Sequence, residues 1–342
     1  MKKIKSALWI LIVIVPVGVR WMNDFRFKDY IPSSKNVKET LPASFLSHVT
    51  DIEGVQVEIV EEGKVNGFHL IPKKLSSKGV VVTFGGSEGS SNYDVALMLA
   101  RNGYEVYSLF FFGYGKLPKE LKEVPLNFFE DFLDFHERHS QSKEPITVLG
   151  ASKGAELALN LASRYEEISH IVLYSPSAYS FFSLNQKSTN QSSWINHQKV
   201  VPYLSVRNGS MMGVIKMMIS YIFNFPIQYY PVFQSVIENT PKTHLETARI
   251  KVEKYAGDGL VFVGGDDLMW PSELMTKEIK RHAQDLEVYT YPNAGHSYMS
   301  GRYIWTPAPG ALIALGGDKY KNSKANESSN RILRRKLKIW HA

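Results

Sequence analysis

Three observations on this 342-residue chain predict an α/β architecture, a mostly parallel sheet with helices on both faces. From Gly79 onward, short β-favouring apolar runs alternate with amphipathic helical patterns, the rhythm of parallel strands joined by crossovers. One run, Ile146 to Leu149, breaks on Gly150 and passes at once into a helical pattern, with Ser152 on the turn. Gly150, Ser152 and Gly154 form the spacing G-x-S-x-G, whose glycines let the backbone fold tightly and leave a hydroxyl exposed above a sheet. Residues 178–250 interrupt the alternation. The expected fold is therefore an α/β-hydrolase with an inserted lid region, carrying a serine nucleophile.

The first 20 residues form a hydrophobic segment. Lys2, Lys3 and Lys5 precede an uncharged run, Ala7 to Val19, which Arg20 closes. As a helix that run covers about 20 Å, short of the roughly 30 Å hydrocarbon core. No A-x-A-like cleavage site follows it. Three readings stay open: an uncleaved membrane anchor, a cleaved signal, or a helix packed on the protein. Lys5 and Arg20, which can snorkel, and Trp9 and Trp21, which suit an interface, favour the anchor. The expectation is a membrane-associated chain with a single N-terminal segment. Arg20, Arg26 and Lys28 leave its side of the membrane open.

Residues 21–78 hold a polar linker with Pro32 and Pro42, over about 21–50, and a short β lead-in. The alternating runs Val55–Val60 and Phe68–Ile71 predict an antiparallel hairpin turned at Glu62-Gly63. The catalytic domain is expected over 79–342. Its strands fall at Val80–Phe84, Glu105–Phe110, Ile146–Leu149, His170–Tyr174, Leu260–Val263 and Leu286–Tyr291. Helices fall near 94–102, 126–138, 153–165, 271–283 and 326–338. The insertion is first rich in Ser and Asn, then apolar and aromatic from Met211 to Phe233. It reads either as a lid over a pocket or as a peripheral patch of core.

Composition narrows the chemistry. An apolar content of 44% supports a substantial core. The absence of cysteine excludes disulfides, thiolate metal sites and a cysteine nucleophile. The net charge of +7 comes from scattered lysines, a solvated basic surface rather than a nucleic-acid stripe.

A second G-x-S-x-G copy, Gly85, Ser87 and Gly89, lies in VVVTFGGSEGSS. After Ser87 the chain runs on as a polar loop, whereas after Ser152 a helix starts at once, its N–H groups and dipole facing a reacting carbonyl. Ser152 is therefore the favoured nucleophile. Serine needs a base within hydrogen-bond reach, and the order Ser, Asp/Glu, His places acid and base downstream. His296, in YPNAGHSYMSG, follows the strand Leu286–Tyr291, at the carboxyl end where sheet sites lie. The other downstream histidines, His170, His197, His244, His282 and His341, fall in a strand, the insertion, helices or the tail. Asp266 and Asp267 both follow Leu260–Val263. Asp267 is favoured, with Pro271 four residues on to open the next helix, and the other carboxylate is expected to steady the loop. The oxyanion hole needs two backbone N–H groups: one from Lys153, the other from the glycine-rich loop at Gly86 or Ser87.

These stretches carry a resemblance. VVVTFGGSEGSS, FFGYGKLPKELKEVPLNFFEDFLDF, GASKGAELAL, SSWINHQKVVPYL, GGDDLMWPSELM, YPNAGH and the tail GGDKYKNSKANESSNRILRRKLKIW are similar to the catalytic domain shared by acyl-CoA thioesterases and bile acid-CoA:amino acid N-acyltransferases. The resemblance covers about residues 79–340 and puts Ser152, Asp267 and His296 on the triad positions. It implies hydrolysis of acyl thioesters, acyl-CoA to fatty acid and CoA, through an acyl-enzyme on Ser152, with no metal or redox cofactor. Larger members carry an N-terminal β-sandwich, for which residues 21–78 are too short. The acyltransferases use cysteine, whose thioester an amine attacks, so Ser152 favours hydrolysis. Two rivals share the scaffold: a carboxylesterase or lipase acting on oxygen esters, and a non-catalytic binding protein. The expected partners are a small-molecule ester or thioester and, through the N-terminal segment, a membrane; nucleic acid is not expected.

Overall fold

The β-favouring runs pair into one eight-stranded sheet. The computed structural model describes residues 2–28, 52–184, 190–300, 304–308 and 311–342. The linker prolines Pro32 and Pro42 lie outside the described residues. In chain order the strands are β1 (Val55–Glu62), β2 (Val65–Pro72), β3 (Val80–Phe84), β4 (Glu105–Phe110), β5 (Ile146–Ala151), β6 (Ile168–Tyr174), β7 (Asp258–Gly264) and β8 (Glu287–Tyr291). Their order in the sheet is β1-β2-β4-β3-β5-β6-β7-β8. β2 runs antiparallel to β1 and β4, and every later pairing is parallel. All residues of β3 and β4 are buried, so neither strand shows a polar-apolar alternation, and the polar ones (Thr83, Glu105, Ser108) are buried with the rest.

The helices are α1 (Lys2–Arg26), α2 (Tyr93–Arg101), α3 (Phe128–His139), α4 (Lys153–Ala162), α5 (Met211–Phe223), α6 (Tyr230–Asn239), α7 (Lys242–Ala248), α8 (Ser272–His282) and α9 (Lys319–Trp340). Two apolar layers enclose the sheet. One gathers Phe128, Phe132, Leu157, Leu161, Met275 and Ile279 from α3, α4 and α8. The other gathers Ala96 and Leu99 from α2 with Ala325, Leu333 and Leu337 from α9. Helix α9 starts seven residues before the sequence pattern suggests. Asp318 caps it by accepting from the Lys321 N–H (2.8 Å), and its first buried residue is the polar Asn322.

The insertion divides into core and cover. Phe181, Phe182, Trp194, Leu204, Val236 and Ile237 are buried in the main core. Helix α5 lies outside it, with Gly213 its one buried residue and Met211 74% exposed. Short pairings of Val124–Pro125 with Trp194–Asn196, and of those with Lys199–Val200, bind the first half of the insertion to the loop before α3.

The N-terminal segment corrects an expectation. Among the described residues no helix is long and apolar enough to cross a membrane, so the membrane-anchored placement, the transmembrane helix and the membrane partner are not sustained. The uncharged run is too short for its role, being bounded by Lys5 and Arg20 and interrupted by Pro16. Helix α1 instead docks by its C-terminal turns on the end of α5. Arg20 Nη1 donates to the carbonyls of Tyr221 (3.0 Å) and Ile222 (3.2 Å), and Asn23 Nδ2 to that of Phe223 (2.8 Å). Asn224 Nδ2 donates to Asp24 Oδ1 (2.5 Å), and Phe27 meets Trp305 edge to face at 4.9 Å. These contacts satisfy carbonyls that a helix C-terminus leaves open, with a cation where the dipole is negative.

Candidate active site

Three loops at the carboxyl ends of β5, β7 and β8 bring Ser152, Asp267 and His296 together. Ser152 sits between β5 and α4 with φ 54° and ψ −119°, a conformation that strains any residue with a side chain. Its N–H is held by the Tyr174 carbonyl (2.9 Å), which keeps the turn level with the end of β6. Glycine is required at 154 because the loop after β3 crosses directly over it: a Cβ there would lie 2.0 Å from the Gly85 carbonyl oxygen. The second G-x-S-x-G copy is therefore the loop that covers the elbow.

His296 Nε2 lies 2.8 Å from Ser152 Oγ, and Nδ1 lies 2.8 Å from Asp267 Oδ2. Because an ionised carboxylate only accepts, Nδ1 carries the hydrogen and Nε2 is left as the acceptor for the serine hydroxyl. Asp267 is buried and fully engaged. Its Oδ1 accepts the N–H groups of Met269 (2.8 Å) and Trp270 (3.1 Å), and its Oδ2 accepts the Ser272 hydroxyl (2.7 Å) beside the His296 N–H. The imidazole is clamped as well. Ser175 Oγ donates to the His296 carbonyl (2.8 Å), and Trp270 meets the ring edge to face at 5.8 Å. Asp266 turns outward and accepts the Gly317 N–H (2.8 Å).

Two of the expected oxyanion donors are free and one is not. The N–H groups of Lys153 and Ser87 meet no acceptor among the described residues. The Gly86 N–H donates to Glu88 Oε1 (2.9 Å). The Lys153 side chain is buried behind the elbow, where Nζ reaches Glu156 Oε1 (2.9 Å) and Oε2 (2.8 Å). Burial holds this ammonium below the usual lysine range, and Glu156 pulls it the other way. Glu156 Oε1 also accepts Trp194 Nε1 (2.6 Å) and the Phe181 N–H (3.0 Å), tying the insertion to the elbow helix.

A cavity of about 520 Å³ is lined by Phe112, Phe182, Met217, Tyr229, Val232 and Phe233, with Lys119 and Glu120 also in its wall. Its walls reach the site on both sides. Phe112 packs on Gly89, and Phe233 meets Trp270, which in turn meets His296. No group of three or more His, Asp or Glu among the described residues is arranged to hold a metal. Sequence reading passed over Ser272, Trp270, Glu156 and Glu88. The first two stand in the quoted string GGDDLMWPSELM, and Glu88 in the loop itself, but their roles depend on contacts that no local pattern encodes.

The family model described as BAAT / Acyl-CoA thioester hydrolase C terminal matches residues 124–333. The chain belongs to this family. Among curated relatives, acyl-coenzyme A thioesterase 6 of Homo sapiens is 28% identical over 284 residues, covering 80% of this chain and 62% of the relative. Acyl-coenzyme A amino acid N-acyltransferase 2 of Mus musculus is 27% identical over 296 residues, covering 82% and 65%. The chain thus spans less than two thirds of the length of these relatives. The solved Pyrococcus furiosus esterase Pf2001 is similar in fold, with a TM-score of 0.50 at 14% identity over 88% of this chain and 97% of that one. The α/β-hydrolase fold is common to this family member and that esterase.

Proposed function

We propose that this protein is a serine hydrolase that cleaves acyl thioesters, with acyl-CoA the substrate class, through an acyl-enzyme on Ser152. The observation that carries the proposal is the unbroken chain of 2.8 Å contacts from Ser152 Oγ through His296 to Asp267. Thioester chemistry is supported by the family and by relatives named as acyl-coenzyme A thioesterases. A hydrocarbon chain suits the largely apolar cavity whose walls connect to His296 through Trp270 and to Gly89 through Phe112.

In the proposed reaction His296 Nε2 takes the hydroxyl proton as Ser152 Oγ bonds to the acyl carbon. The carbonyl electron pair moves onto oxygen, where the N–H groups of Lys153 and Ser87 receive it. Collapse expels the thiolate, which takes the proton from His296, leaving an oxygen ester on Ser152. Water then attacks that ester with His296 as base. The proton returns to Ser152 Oγ as the acyl C–O bond breaks and the free acid leaves. Asp267 holds the required tautomer and stabilises the transient imidazolium.

Fluorophosphonate labelling of the full chain with peptide mapping tests the nucleophile, and turnover of acyl-CoA against p-nitrophenyl esters tests the leaving group. Labelling at Ser152 with preferential acyl-CoA turnover is expected. Ester turnover alone would move the assignment to a carboxylesterase, and no labelling would leave a binding protein on a hydrolase scaffold.

A further inference from the structure

Glu88 stands at the rim of the site without a part in the chemistry above, yet its carboxylate organises the loop that faces the nucleophile. Its Oε1 accepts two hydrogen bonds, from the Gly86 N–H (2.9 Å) and from Ser90 Oγ (2.5 Å). The loop is closed beneath them by the bonds from Gly85 N–H to the Ser90 carbonyl (3.1 Å) and from Gly89 N–H to the Gly86 carbonyl (3.2 Å). Glu88 bridges the turn from within, and Asn92 Nδ2 donates to the Phe84 carbonyl (3.4 Å) across its base. A Cβ built on Gly86 would lie 2.5 Å from Glu88 Oε2 and 3.3 Å from Ser152 Cβ, so the carboxylate and the nucleophile flank the same bare Cα.

This arrangement has two effects. It consumes the Gly86 N–H, while the Ser87 N–H meets no acceptor among the described residues. It also fixes the peptide planes from 85 to 90, and an oxyanion donor is effective only if its direction is set before charge develops. Resting on the hydrolase reading above, we propose that Glu88 is a positioning residue for the oxyanion hole, acting as a hydrogen-bond acceptor that aims the Ser87 N–H. Its negative charge plays no useful part. A carboxylate oxygen beside Gly86 opposes the negative charge that forms on the substrate, so an uncharged side chain with the same acceptor serves as well or better.

The test compares full-length wild type with E88A, E88Q and S90A. Steady-state kinetics on the best substrate of the panel are normalised by fluorophosphonate titration, and a melting temperature is taken for each. E88A is expected to lower kcat at least about tenfold with KM little changed, since the loss falls on the transition state. E88Q keeps a carbonyl acceptor for both donors and is expected within about threefold of wild type, or faster. S90A removes one of the two bonds and should fall between wild type and E88A. Melting temperatures should stay together, because Glu88 is exposed. E88A turning over like wild type, or E88Q falling as far as E88A, would overturn the proposal. A wild-type chain with neither labelling nor turnover would overturn the hydrolase reading and this inference with it.

Discussion

Ser272 donates its hydroxyl to Asp267 Oδ2, the same oxygen that receives the His296 N–H. Asp267, the proposed triad acid, is thus held by a serine at the start of the next helix as well as by the Met269 and Trp270 amides. Replacing Ser272 with alanine should leave three of these four donors and reduce kcat roughly tenfold without changing the fold. D267N should reduce it about 10⁴-fold, because the asparagine amide can no longer hold the Nδ1–H tautomer. Steady-state kinetics on the pair check whether the serine acts through the acid.

At Ser152, the proposed nucleophile, strain and chemistry should separate cleanly. S152A should lower kcat by at least about 10³-fold at unchanged stability, because alanine inherits the same positive φ. S152G should be equally inactive yet more stable by about 1 kcal/mol, since glycine adopts that backbone without penalty. Urea unfolding of the three proteins reads the difference directly.

The pair Lys153–Glu156 is buried on both sides, with both carboxylate oxygens engaged. E156Q keeps an acceptor for Trp194 and Phe181 but leaves the lysine charge uncompensated, a loss on the order of 3 kcal/mol. With its partner gone, Lys153 titrates still further below the unfolded value of 10.5. The unfolded chain then binds more protons across that interval, so the stability of E156Q should rise with pH as pH approaches about 10.5. A flat pH profile in denaturant melts would contradict this assignment.

His341 supplies an opposite limit. Its Nδ1–H donates to the Lys78 carbonyl (2.6 Å), which leaves Nε2 to accept the Thr147 hydroxyl (2.8 Å). Burial, the largest cause, pushes its pKa from 6.5 down to about 4. The unfolded histidine protonates first as pH falls, so this contribution is complete above about 6.5 and lost progressively toward about 4. Melting temperature should drop across that window, and H341Q should flatten the drop. A wild-type melting temperature constant from pH 7 to 4 would count against the assignment.

Much of the sheet was legible because central parallel strands are apolar on both faces. β3 and β4 have the residue limits that the runs Val80–Phe84 and Glu105–Phe110 suggest. Each triad candidate was readable from a loop at the carboxyl end of a strand, a position fixed by local punctuation such as Gly150 and Gly264. What escaped depends on partners distant in the chain. The first turns of α9 look polar because the buried residues there are Asn322 and Ser329, with only the small Ala325 between them. The run from Ala7 to Val19 looks like a membrane segment because hydropathy cannot register that Arg20 and Asn23 bind carbonyls some two hundred residues away. Glu88 and Ser272 carry no local mark, since a carboxylate in a glycine turn and a serine opening a helix are ordinary choices.

The bonds from Phe181 and Trp194 to Glu156 also bear on how this scaffold can be re-engineered. They make residues up to about Leu204 part of the elbow's own foundation, whereas α5 touches the body mainly through α1 and α6. A transplanted pocket should therefore be spliced after Leu204 and before Tyr230, because α6 contributes Val236 and Ile237 to the main core. A graft that also replaced Phe181 or Trp194 would alter the footing of Ser152, the proposed nucleophile, together with the pocket.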